Sequence, residues 1–256
     1  VITIRPERLK PYVDKIVWQG GGTGEPFTVY PDIYHVMGFQ TVGRVMLVSG
    51  GHTRPLAPAG LTGLHKETRI FQTTAHLSSV LVYFKPEALF RMRNYSSREI
   101  ANQSVGLTDL GGSMSDWERL MQAPMEPREL LCSVEAMVWE WCRVLEIDTW
   151  ANWAVERIRA SHGLIRIEEI AEESTVSRRQ FERRFVERVG VPPKSFAQIV
   201  KFQHVLQSMG TAETLTNLAH DAGYFDQSHL IKHIRGMSGL SPGDVRRLLA
   251  WPAAED

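Results

Sequence analysis

Residues 167–185 and 215–234 are imperfect copies of one another. Ile170-Ala171 matches Leu218-Ala219 at an offset of 48, whereas Phe181, Phe185, Gly190 and Pro193 match Leu230, Ile234, Gly239 and Pro242 at 49, so one residue is added in the second turn. Each copy reads as a short helix, a turn, a capping residue and a second helix with apolar residues four apart, which is the pattern of a helix-turn-helix. Two such motifs at this spacing can address two neighbouring stretches of major groove from one polypeptide, so this third of the chain reads as a sequence-specific binder of double-stranded DNA.

In the first unit Ile167, Ile170 and Ala171 form the inner face of the leading helix, Ser177 has the chemistry of an N-cap, and Phe181 and Phe185 point inward from the second helix. Arg178, Arg179, Glu182 and Arg183 are left on the outer face. Arginine can grip guanine O6 and N7, and glutamate can accept from cytosine N4; Arg179 and Arg183 are the foremost candidates for reading bases. In the second unit Asp226 is the expected cap, and Gln227, Ser228, Ile231 and Lys232 face outward. Glutamine suits adenine, Ile231 a thymine methyl, and Lys232 guanine or phosphate. Pro192-Pro193 starts a linking helix that runs to about Met209, long enough to hold the units apart as a rod.

The formal charge of zero conceals an asymmetry. Residues 156–250 hold 14 Lys/Arg against 11 Asp/Glu, leaving the rest of the chain net acidic, so the basic excess falls on the segment with the motifs. No stretch approaches the roughly 18 apolar residues of a membrane span, and the expected location is cytoplasmic.

Residues 1–85 carry short runs rich in Val, Ile, Tyr and Phe, broken by Gly and Pro. Val13–Trp18, Phe27–Tyr30, Tyr34–Gln40, Arg44–Ser49, Glu67–Thr73 and Ser79–Phe84 are expected strands of a small barrel or sandwich. From Pro86 onward the period becomes helical; Leu130, Leu131, Val134, Met137, Val138 and Trp141 form one stripe, suited to a core or to a subunit contact. The pattern pauses near 146–152, which sets the expected domains at 1–149 (strands to about 85, then helices) and 150–256.

The residues of the C-terminal part resemble the AraC/XylS family of bacterial transcription regulators over about 150–250. Ile170-Ala171 with Ser177, Phe181, Arg183 and Phe185 carry the resemblance, together with Leu218-Ala219, Gly223-Tyr224, Asp226, Ser228 and Gly239-Leu240-Ser241-Pro242. Family members commonly have Phe near Leu230 and at Ile234, and often Arg near His204; this chain departs there. The resemblance implies an α+β protein, with a small cupin-like β-barrel and following helices for effector sensing or dimerisation, then an all-α domain of two helix-turn-helix units on a linker helix. It implies promoter DNA as partner, a small-molecule effector, a homodimer, and RNA polymerase by family analogy.

An effector pocket would draw on Tyr12, Trp18, Tyr30, Tyr34 and Phe39, although aromatics of a small barrel equally serve as core. The alternatives are a cupin-type metal enzyme and a DNA-repair protein fused to a DNA-binding domain. His35, His52, His65 and His76 lack compact ligand spacing, and the two cysteines, Cys132 and Cys142, cannot supply both a four-thiolate site and a nucleophile. No catalytic residue, metal or cofactor is therefore expected.

Overall fold

The computed structural model describes residues 1–89, 97–110, 117–118, 125–210 and 214–250. Among these, ten strands make two antiparallel sheets. The strands are β1 (Ile2–Ile4), β2 (Val13–Gly20), β3 (Pro26–Val29), β4 (His35–Val42), β5 (Val45–Ser49), β6 (His52–Pro55), β7 (Ala59–Thr62), β8 (Arg69–Thr73), β9 (Ser78–Phe84) and β10 (Ser104–Gly106). One sheet runs β1-β2-β9-β4-β7-β10 and the other β3-β8-β5-β6. Each keeps two edge strands, so the sheets are not closed into a barrel. β10 also breaks the run of helices expected after residue 86.

Strand alternation decides what each face does. Ile16, Trp18, Met37, Phe39, Val80, Val82, Phe84, Ala59 and Leu61 share one face of the larger sheet and form its core with helix α2 (Pro127–Cys142), which follows α1 (Ser97–Ile100). The helical stripe is thus accounted for: Leu130, Leu131, Val134 and Val138 are buried in this core, and Trp141 packs 6.3 Å from Phe39. Its period would suit a subunit contact equally, but the sheet covers it first. The opposite face of that sheet meets the smaller sheet, where Arg69 donates to Ser104 Oγ at 3.2 Å and Gln40 Oε1 accepts from Val45 N–H at 2.8 Å.

The remaining helices are α3 (Thr149–Ala160), α4 (Ile167–Glu173), α5 (Arg178–Val189), α6 (Pro193–Met209), α7 (Leu215–Asp221), α8 (Gln227–Ser238) and α9 (Pro242–Ala250). α3, α4, α5 and the first half of α6 enclose one core, which also takes in Leu64 and touches Ile33 and Ala101 from the sheet-rich part. α7, α8, α9 and the end of α6 enclose another. Further bonds join the two parts of the chain: Ser97 Oγ donates to Arg188 O at 3.1 Å, Thr68 Oγ1 to Met237 O at 2.9 Å, and Gln203 Nε2 to Pro31 O. No helix among the described residues is long and apolar enough to cross a membrane.

Candidate nucleic-acid interface

The first unit is built by local chemistry. Ser177 caps α5 with a reciprocal pair of bonds: its Oγ accepts from Gln180 N–H at 3.4 Å, and Gln180 Oε1 accepts from Ser177 N–H at 3.1 Å. Phe181 and Phe185 are fully buried, their rings 5.9 Å apart, with Phe196 of α6 and Trp150 of α3 closing the cluster. Each buried phenyl is worth roughly 1.5–3 kcal/mol, which clamps the helix so that its opposite side must face water. Gly190 ends α5 at φ +96°, a left-handed C-cap.

The second unit repeats this. Thr214 Oγ1 accepts from Asn217 N–H at 3.1 Å to cap α7, and Asp226 Oδ1 accepts from His229 N–H at 2.7 Å to cap α8. Leu218, Ala219, Leu230 and Ile234 are buried, and Gly239 closes α8 at φ +74°. A polar brace absent from the first unit holds the turn. Lys201 of α6 lies 3.7 Å from the Tyr224 ring centre and donates to Gly223 O at 2.9 Å, while the Tyr224 hydroxyl meets His233 Nδ1 at 2.5 Å. Burial, with Lys201 and His229 nearby, lowers His233 to about 4, and burial raises Tyr224, so the neutral imidazole accepts the phenolic hydrogen.

The expected reading residues all lie on the outer sides of α5 and α8, but not on equal terms. Arg178 is exposed yet held by Glu182 at 2.9 Å and Glu168 at 2.5 Å; the Glu182 hydrogen bond, then the Glu168 charge, raise its pKa. Glu182 is thereby occupied too. Arg179 and Arg183 are exposed and make no ion pair among the described residues, leaving both guanidinium groups available. Arg184 and Arg188 turn away onto Trp150, at 4.1 and 5.7 Å. Arg188 also pairs with Asp148 at 2.6 Å. Burial alone would raise Asp148, but the Ala151 N–H and Arg188 outweigh it and hold the carboxyl below its ordinary value.

On α8, Gln227, Ser228 and Lys232 are exposed and Ile231 is half-buried. Thr216, on the first turn of α7, donates to Gln227 Oε1 at 3.3 Å, which orients the amide with its NH2 outward. Thr216 carries no sequence signal of its own; the structure places it two residues beyond the Thr214 cap. α6, at 17 residues and 1.5 Å each, spans about 25 Å between the units.

The five aromatics expected to line a pocket go to different places. Tyr12 donates to Leu145 O at 2.8 Å, Trp18 to Ser78 Oγ at 3.2 Å, and Phe39 lies 4.8 Å from Trp117, all in the core beneath α2. Tyr34 packs edge-on to Tyr83, and Tyr30 against Phe202 of α6. Phe39 lies in the core beneath α2, whereas Tyr34, which precedes β4, packs on Tyr83 of the opposite face, so the five do not share one cavity. A cavity of about 310 Å³ does exist, between Ile33, helix α3 with its C-terminal turn (Glu156, Arg159, Ala160, His162) and α6 (Val200, Gln203, His204, Gln207). Within it the His162 and His204 rings stack at 4.0 Å and Arg159 pairs with Glu156 at 2.8 Å. His35, His52, His65 and His76 are not brought together, and no group of three or more metal-ligating side chains occurs among the described residues.

Residues 170–248 match a family model described as a helix-turn-helix domain. Among solved structures, ToxT from Vibrio cholerae is similar at TM-score 0.53 and 9% identity, covering 92% of this chain and 99% of that one. ToxT from Vibrio cholerae O395 bound to (E)-4-(8-methylnaphthalen-1-yl)but-3-enoic acid has the same values. A transcriptional regulator with an AraC-type DNA-binding domain, from Chromobacterium violaceum, aligns at 22% identity over 41% of this chain and 95% of that one, with TM-score 0.38. No curated protein matches the sequence. At these identities the likeness to ToxT is one of fold.

Proposed function

We propose, from the premise that residues 170–248 form an AraC-type helix-turn-helix domain, that the chain regulates transcription by binding duplex DNA at two successive major grooves. The observation that carries this is the pair of capped helices, α5 and α8, each clamped by a buried face and each presenting unpaired polar side chains outward on one shared rod, α6. Arg179 and Arg183 read bases in the first unit, while Arg178 and Glu182 brace each other beside them. Gln227, Ser228, Ile231 and Lys232 serve the second unit.

Selection of binding sites from a random duplex pool, followed by footprinting, tests this. A protected site covering two successive major grooves is expected. Arg183→Ala or Arg179→Ala should each weaken the selected site by about 1–3 kcal/mol and relax preference at one or two positions. Equal weakening on every sequence would reassign these arginines to phosphate, and failure to enrich any sequence would end the DNA-binding reading.

The effector is a small organic acid held in the cavity between Ile33, α3 and α6. His162 and His204 can donate ring N–H groups to a carboxylate, Arg159 exchanges its Glu156 partner for the acid, and a ligand there touches both the sheet-rich part and the helix that spaces the two units. ToxT, which shares the fold, holds an aryl-substituted butenoic acid. That compound is a suitable probe. At a hundred times its dissociation constant it should stabilise the protein by about 2.7 kcal/mol. Arg159→Met should abolish the gain, and an unchanged gain in the variant would place the ligand elsewhere. A homodimer and RNA polymerase are the further partners; sedimentation with and without the selected duplex tests the dimer.

A further inference from the structure

Phe225 is 95% exposed, the most exposed of the large apolar side chains among the described residues. It stands immediately before Asp226, the residue that caps the second outward helix, α8. An apolar residue at this position ordinarily folds back onto the fourth residue of the helix and staples its entry. The first unit does this: Val176, before the Ser177 cap, is half-buried against the cluster that contains Phe181. In the second unit the fourth residue is Leu230, which is fully buried, yet Phe225 remains outside. The turn is not loose, since Lys201, Tyr224 and His233 brace one side of Phe225 and the Asp226 cap fixes the other. The ring is therefore held in water rather than merely omitted from the core.

Its surroundings indicate what covers it. Gln227 and Ser228 follow it directly, and Thr216 reaches Gln227 from the start of α7. This is the N-terminal edge of the helix that enters the major groove. We propose that Phe225 is a specificity-determining residue of the second unit, its ring making apolar contact with the 5-methyl group of a thymine at the groove wall. Phenylalanine is among the side chains suited to that methyl group, the apolar part of the pattern thymine shows in the major groove. The proposal rests on the DNA-binding reading above, and the test separates the two.

The full chain is used to enrich duplexes from a random pool, and binding of the best duplex is measured for the native protein, Phe225→Ala and Phe225→Leu. Phe225→Ala should weaken that duplex roughly tenfold and leave random duplex unaffected. Phe225→Leu should fall between. Thermal unfolding should not change, because the side chain lies outside the core. Replacing thymines one at a time with uracil, which lacks only the methyl group, should weaken the native protein at one position and leave Phe225→Ala indifferent there. Unchanged affinity in Phe225→Ala overturns the proposal, even if transcription with polymerase is impaired, since the ring would then meet a protein. Equal weakening on random duplex overturns it as well. If the native chain enriches no sequence, the DNA-binding reading falls and this inference with it; if it enriches one that Phe225→Ala binds equally, only this inference falls.

Discussion

Acidification from pH 7 to 4 is expected to strip the protein of several kcal/mol of stability, with His35 as one measurable source. This histidine opens β4 and is completely buried, with the backbone of Pro86 and of Val189 at the end of α5 facing its ring. Burial lowers its pKa from 6.5 to about 4. The unfolded chain therefore takes up a proton, as pH falls through this window, that the folded chain refuses. Stability is complete above pH 6.5 and is lost down to pH 4, by roughly 3 kcal/mol for this residue.

Glu87 works in the opposite direction. It is buried, and burial raises it from 4.5 to about 7. Its contribution is complete below pH 4.5 and is lost as pH rises to 7. Alone it would about cancel His35. His65 and His233, each lowered by burial to about 4, tip the balance toward loss in acid. Thermal melts across this range should show the decline in native protein. His35→Leu should decline less by roughly 3 kcal/mol at pH 4, because leucine takes up no proton in either the folded or the unfolded chain. Glu87→Gln should gain at pH 8 and change little at pH 4. A His35→Leu slope identical to the native one would refute this account of the acid loss.

Substituting Gly190 should have the other large effect, and through the fold rather than through titration. Gly190 has φ +96°, and a Cβ built there would stand 2.6 Å from the carbonyl oxygen of Ser97. Gly239 occupies the equivalent cap of α8 at φ +74° with open space around it. Both Gly→Ala changes incur the left-handed strain of about 1–2 kcal/mol. Only Gly190→Ala must also push back α1, whose Ser97 hydroxyl bonds Arg188 O. Gly190→Ala should therefore be the more destabilising by at least about 1 kcal/mol, and should open the junction to protease before global unfolding. Equal losses in the two variants would show that the α1–α5 contact contributes nothing to stability.

Much of the helical part was legible from neighbouring residues. The Ser177 and Asp226 caps, the inward Phe181, Phe185, Leu230 and Ile234, and the start of α6 at Pro193 each depend on residues within about four positions. Helical period and capping chemistry act over that range, so the sequence by itself determined two capped units on a rod and the residues on their outer sides. The sheet-rich part was legible only as alternating strands. Short strands such as β1, β7 and β10 have too few residues to show a period, and which strands pair is settled by partners dozens of positions away.

Only the tertiary structure decided that the stripe on α2 is covered by the larger sheet, that Phe39 and Tyr34 lie on opposite faces, and that Leu64 completes the core around α5. It also decided that Arg178 pairs with Glu168 and Glu182 while Arg179 and Arg183 make no ion pair among the described residues, and that Phe225 remains outside while Val176 packs on its cluster. The physical reason is common to these cases. Periodicity tells which side of an element is apolar, but burial and ion pairing are properties of the surface that arrives opposite it, and that surface is brought by distant chain.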